Sequence, residues 1–159
     1  ATLTLSVNSG VVTLGAQATH GVTITDADAA SVAWQSVSTT VGEDAASPNI
    51  TAVLTTVAGN TLENPAVFNV NATNGTAENT DYDSGAFPKT ITFAAGSGNA
   101  ASQSTTFDPV SDALVEGDES ATLTLSVNSG VVTLGAQTTH GVTITDPDTA
   151  AVAWQSASS

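Results

Sequence analysis

Residues 1–39 return almost unchanged at 121–159, and this repetition limits the fold before any strand is assigned. Six positions differ between the copies: Ala18/Thr138, Ala27/Pro147, Ala29/Thr149, Ser31/Ala151, Val37/Ala157 and Thr39/Ser159. The spacing of 120 residues is that of an ordinary domain, too long for a solenoid unit. The chain therefore divides into 1–30, the C-terminal strands of one repeat, 31–149, a complete repeat, and 150–159, the first strand of the next. Near-identical domains in tandem point to a spacer or fibre before they point to a catalyst.

Apolar residues never recur at 3.6, but they alternate in many places. Thr122–Val127 turns Leu123, Leu125 and Val127 to one side. Val142 and Ile144 alternate with Thr143 and Thr145, and Thr90-Ile91-Thr92-Phe93 and Val67-Phe68-Asn69-Val70 follow the same scheme. Ile50–Val57 is apolar enough for a central strand, and Ser102–Phe107 reads as an edge. Asn74-Gly75, Gly96-Ser97-Gly98-Asn99, Glu116-Gly117-Asp118 and Asn128-Ser129-Gly130 supply turns. Seven short strands in one repeat predict an all-β protein, an antiparallel Greek-key β-sandwich of immunoglobulin-like type. The link Thr149-Ala150-Ala151 is short and lacks the Gly/Ser content of a flexible tether, so neighbouring repeats are expected nearly end to end.

Fifteen acids face one base, Lys89, for a net charge of −14. Repulsion disfavours nucleic acid and anionic membranes, and cations are the natural partners. Cysteine is absent, which removes disulfides and thiolate metal sites. No run of 18 apolar residues is present, so membrane insertion is not expected. The acids gather in turns and strand ends rather than along strands. In a sandwich such connections meet at one end, where carboxylates repel unless a multivalent cation neutralises them. Ca²⁺, which takes six to eight oxygens in loose geometry, suits loops better than Mg²⁺. The alternative is that these are ordinary solvated turn residues.

The sequence resembles the Calx-β domain, first recognised in sodium–calcium exchangers and common in large bacterial surface proteins. The likeness covers roughly 32–148. It rests on Glu43-Asp44, Gly75-Thr76-Ala77 followed by Asp81-Tyr82, Thr90–Phe93 with Ala95-Gly96, Asp112-Ala113-Leu114-Val115-Glu116-Gly117-Asp118-Glu119, and Leu134-Gly135 with Val142–Asp148. The resemblance implies a sandwich with calcium ligands at one end: Glu43, Asp81, Asp112, Glu116, Glu119, Asp146 and Asp148. Two carboxylates of the full pattern are missing, since Pro147 and Ser111 stand in their places. Asp26 and Asp28 occupy the positions of Asp146 and Asp148 in the preceding repeat.

Two functions follow. The first is a structural calcium-binding repeat of a long extracellular bacterial filament, adhesin or cell-surface protein, with Ca²⁺ stiffening domain ends and linkers. Its partners would be neighbouring repeats of the same polypeptide or identical subunits that complete each other by strand donation. The alternative is a regulatory calcium-sensor domain of a membrane transporter. Enzymatic activity is not expected: His140 has no Ser or Cys nucleophile context, and no G-x-S-x-G or phosphate loop occurs. Scarce aromatics leave little to stack on a sugar.

Overall fold

The computed structural model describes residues 1–155. Strands β1 (Thr2–Thr4) and β2 (Thr19–Gly21) form a separate antiparallel ribbon. The sandwich follows, with β3 (Ala30–Trp34), β4 (Ser38–Gly42), β5 (Asn49–Thr56), β6 (Ala66–Asn74), β7 (Lys89–Phe93), β8 (Ser102–Thr106), β9 (Glu119–Ser129), β10 (Thr133–Leu134) and β11 (Thr139–Thr145). One sheet has the order β10-β3-β5-β8 and the other β4-β11-β9-β6-β7.

Alternation places the core between the sheets. Ala121, Leu123 and Leu125 of β9 point inward with Phe68 and Val70 of β6, opposite Ile50 and Leu54 of β5. Burying each such Leu, Ile, Val or Phe contributes about 1.5–3 kcal/mol. Phe68 and Phe93 meet edge to face at 6.2 Å. Val127, expected inside, is exposed, because the β6–β9 register shifts at Val67/Phe68 as β9 runs out past the core. β5 is a central strand and β8 an edge, as the sequence suggests.

The sheets are mixed, and the sandwich holds nine strands where the sequence pattern indicates seven. One extra strand is the two-residue β10, which runs parallel to β3. The other arises because the first strand divides: β3 pairs with β5 in one sheet, while β4 crosses to the other and runs parallel to β11. A buried histidine fixes this crossing. His140 lies 2.9 Å from the Ser36 carbonyl through Nδ1 and 2.9 Å from Thr39 Oγ1 through Nε2. A carbonyl only accepts, so Nδ1 donates there and the neutral ring accepts the Thr39 hydroxyl proton at Nε2. The Trp34 ring tilts over His140 at 6.0 Å. Ala150–Gln155 form no strand, and the remainder of the expected 150–159 strand lies outside the described residues.

Candidate cation site

The register brings four strand ends together. Thr145 pairs with Gly42, Ile144 with Glu119, and Asn74 with Ala121, so the end of β4, the end of β11, the start of β9 and the end of β6 share one edge of the sandwich. Glu43 follows β4 directly, and its N–H donates to the Thr145 carbonyl at 3.1 Å. Gly75 lets the chain after β6 press against β9: an added Cβ would lie 2.4 Å from Ser120 Oγ and 2.8 Å from the Ser120 carbonyl oxygen. Thr76 Oγ1 then accepts the Ser120 N–H at 2.9 Å. Tyr82, stacked on Phe107 at 4.9 Å with its hydroxyl bonded to Asn74, anchors the loop that presents Asp81.

Two carboxylate triads result. Glu43, Asp146 and Asp148 bring one oxygen each within 4.8 Å of one another, and Asp81, Glu116 and Glu119 do the same. The triads are linked, because the Glu116 N–H donates to Asp146 Oδ2. Asp146 Oδ1 also accepts the Asp148 N–H at 2.5 Å. Asp112 belongs to neither triad; its carboxylate accepts the Leu114 N–H at 2.7 Å, and its charge acts on both Glu43 and Glu116. Glu78, which the sequence pattern does not single out, gives its N–H to Asp81 at 2.5 Å, and its charge acts on Glu116 and Glu119. Its place three residues before Asp81, within the same turn, is the signal that could have found it. Asp26 and Asp28 keep the local hydrogen bond of their counterparts at 2.9 Å, with no equivalent of Glu43 beside them among the described residues.

Like charges at such distances cost about 1–4 kcal/mol per pair, depending on solvent screening. The acid constants record this crowding. Burial and then the charges of Asp146, Asp112, Asp148 and Glu116 push the Glu43 carboxyl above its ordinary value. Burial, followed by Asp112, Asp81, Asp146 and Glu78, does the same to Glu116. Glu119 is raised to about 7, first by its hydrogen bond to Asp81, then by burial and neighbouring charge. Burial alone would raise Asp81 too, but hydrogen bonds from Glu119, the Glu78 N–H and Thr80 hold it below the usual range. Asp81 and Glu119 therefore share a proton. Every donor is a hard oxygen, thiols are absent, and His140 is committed to the crossing, so the site suits a hard cation rather than a soft one.

This architecture defines a β-sandwich that carries linked acidic loops at one end. Neither a protein-family model nor a curated protein matches the sequence. Solved structures do match the fold. The apo-form Calx CBD1 domain superposes with a TM-score of 0.61 at 20% identity, covering 75% of this chain and 98% of that one. The Calx CBD2 domain gives 0.58 at 13% identity, over 73% and 86%. CBD12 from CALX1.2 gives 0.58 at 21% identity, over 74% of this chain and 44% of that chain. The chain thus has a Calx-type fold, in agreement with the resemblance drawn from its motifs.

Proposed function

We propose that this chain is a non-catalytic Ca²⁺-binding module whose ions bind at the two linked triads. The observation that carries the reading is the convergence of Glu43, Asp146 and Asp148 with Asp81, Glu116 and Glu119, from loops far apart in sequence, onto one edge. Unrelieved carboxylate repulsion gives a divalent cation a large differential affinity for the folded state. Ca²⁺ accepts the irregular spacing of loop oxygens, whereas Mg²⁺ demands a near-octahedral set. Asp112 lies where it can join as either triad closes on an ion. The printed description of a similar structure, the calcium binding domain CBD12 of CALX1.1, supports the choice of ion.

Two roles remain for such a module. The similar structures are Calx domains, which favours the regulatory sensor of a transporter. The near-identical return of 1–39 at 121–159 is the support for a stiff repeat of an extracellular filament or adhesin. Thermal melting with Ca²⁺, Mg²⁺ or EGTA tests the binding. Calcium at a hundredfold excess over Kd should stabilise the fold by about 2.7 kcal/mol. Melting that ignores calcium would refute the proposal. Scattering from several repeats in tandem separates the roles: a calcium-dependent rod supports the filament, and a chain whose inter-domain geometry ignores calcium removes that reading.

A further inference from the structure

The ribbon β1–β2 and the segment after β11 are two unpartnered halves of an interface that the sandwich already contains in finished form. Pairing in the ribbon, Thr2↔Gly21, Leu3↔His20 and Thr4↔Thr19, repeats that of β9 and β11, Thr122↔Gly141, Leu123↔His140 and Thr124↔Thr139. The Leu5 N–H donates to the Ala18 carbonyl at 2.8 Å, as Leu125 does to Thr138 at 2.9 Å. In the sandwich, β3 covers this surface. Ser31 and Val32 pair in parallel with Thr133 and Leu134, and the Trp34 N–H donates to the Gln137 carbonyl at 2.8 Å. On the ribbon the corresponding place is a cavity of about 400 Å³ lined by Leu3, Leu5, Gln17 and His20. These are the counterparts of Leu123, Leu125, Gln137 and His140, the last of which packs against Trp34. Leu5 is 66% exposed where Leu125 is 2% exposed. The counterpart of Trp34 is Trp154, which is 97% exposed against 3%.

We propose that Ala151–Gln155 of one copy adds as a strand to the β1–β2 ribbon of a second copy and seats Trp154 in the cavity beside His20. The repeat fixes the register: Ala151 lies opposite Thr13, Val152 opposite Leu14, and the Trp154 N–H donates to the Gln17 carbonyl. Each chain offers one ribbon and one tail, so the pairing is complete in stoichiometry and leaves the sandwich untouched. The tail leaves β11 at the end where the triads lie, and the ribbon joins β3 at the other. The halves of one chain therefore sit at opposite ends, and association runs head to tail. A third strand over an apolar face is the step that makes a two-stranded ribbon a stable sheet, and main-chain pairing plus a buried indole is an ordinary basis for strand addition. The contact uses none of the triad residues.

Sedimentation and tryptophan fluorescence of the whole chain from about 10 µM to 1 mM, a range that spans weak association, test the proposal. The expected result is concentration-dependent association with a blue shift of the exposed tryptophan. Trp154→Ala and Leu5→Asp should each abolish it while thermal melting of the sandwich stays unchanged. A peptide with the sequence of residues 150–159 should cap the ribbon and reverse the association. A chain that stays monomeric across the range overturns the proposal. So does association that survives Trp154→Ala but not Leu5→Asp, because the ribbons would then be pairing with each other.

Discussion

The proton shared by Asp81 and Glu119 makes calcium binding depend on pH in a calculable way. Calcium needs both carboxylates ionised, so it competes with that proton. With Glu119 at about 7, the triad is about ten-elevenths protonated at pH 6 and about one-eleventh at pH 8. Apparent affinity should therefore fall about tenfold between pH 8 and pH 6, and the raised carboxyls of Glu43 and Glu116 can only steepen the lower part of the curve. Calorimetry at pH 7 in two buffers of different ionisation heat should register proton release on binding. Glu119→Gln should bind more weakly but lose most of the change between pH 6 and pH 8. Equal affinity at the two pH values, with no proton released, would refute the assignment. Stability of the ion-free fold runs the other way. Glu43, Glu116 and Glu119 stay protonated in the fold where the unfolded chain, near 4.5, has ionised, so their contribution is greatest below 4.5 and is lost as pH rises towards 7. Asp81, held below 3.8, opposes this only in stronger acid. Saturating calcium should reverse the slope.

Asp146→Ala removes an acceptor for two backbone N–H groups as well as a triad oxygen, so calcium should no longer shift its melting curve, whereas Asp146→Asn should keep part of the loop order. His140→Phe leaves the Ser36 carbonyl unpaired at the crossing and should cost about 1–3 kcal/mol, read by urea unfolding. Gly75→Ala forces the chain off Ser120 and, through the neighbouring Glu119, should weaken both the fold and calcium binding in the same melts. Lys89→Met breaks the partly exposed 2.7 Å pair with Asp108, and a loss of about 1 kcal/mol should lower Tm by about 2–4 °C in calorimetry.

Period-two alternation made most strands legible, because Leu123, Leu125, Phe68, Ile91 and Val142 face a core that rewards that pattern directly. The division of the first strand was not legible. Nothing local in Gln35-Ser36-Val37 signals a change of sheet; it depends on His140 and on β11, about a hundred residues away. The candidate ligands could be named from their place in an ordered set of motifs. Their separation into two triads could not, since it depends on which loops the strand order brings side by side. Asp112 shows the difference: the pattern places it among the ligands, and the structure places it just outside both groups. Glu78 shows the converse, a turn residue whose influence comes only from the fold around Asp81.

The parallel pairing of β4 with β11 has a mechanical meaning. Both strands run towards the acidic edge, and the chain enters before β4 and leaves after β11. Tension along the polypeptide therefore drags β4 backwards and β11 forwards, so their five register pairs, from Gly141↔Ser38 to Thr145↔Gly42, are loaded in shear and resist together instead of unzipping one by one. The His140 bonds to Ser36 and Thr39 lie at the start of that seam, and Glu43 and Asp146 close its other end. A cation bridging those two side chains acts as a rivet along the line of force. Single-molecule extension should show the rupture force rising with calcium, and a force that ignores calcium would leave the seam to its hydrogen bonds alone.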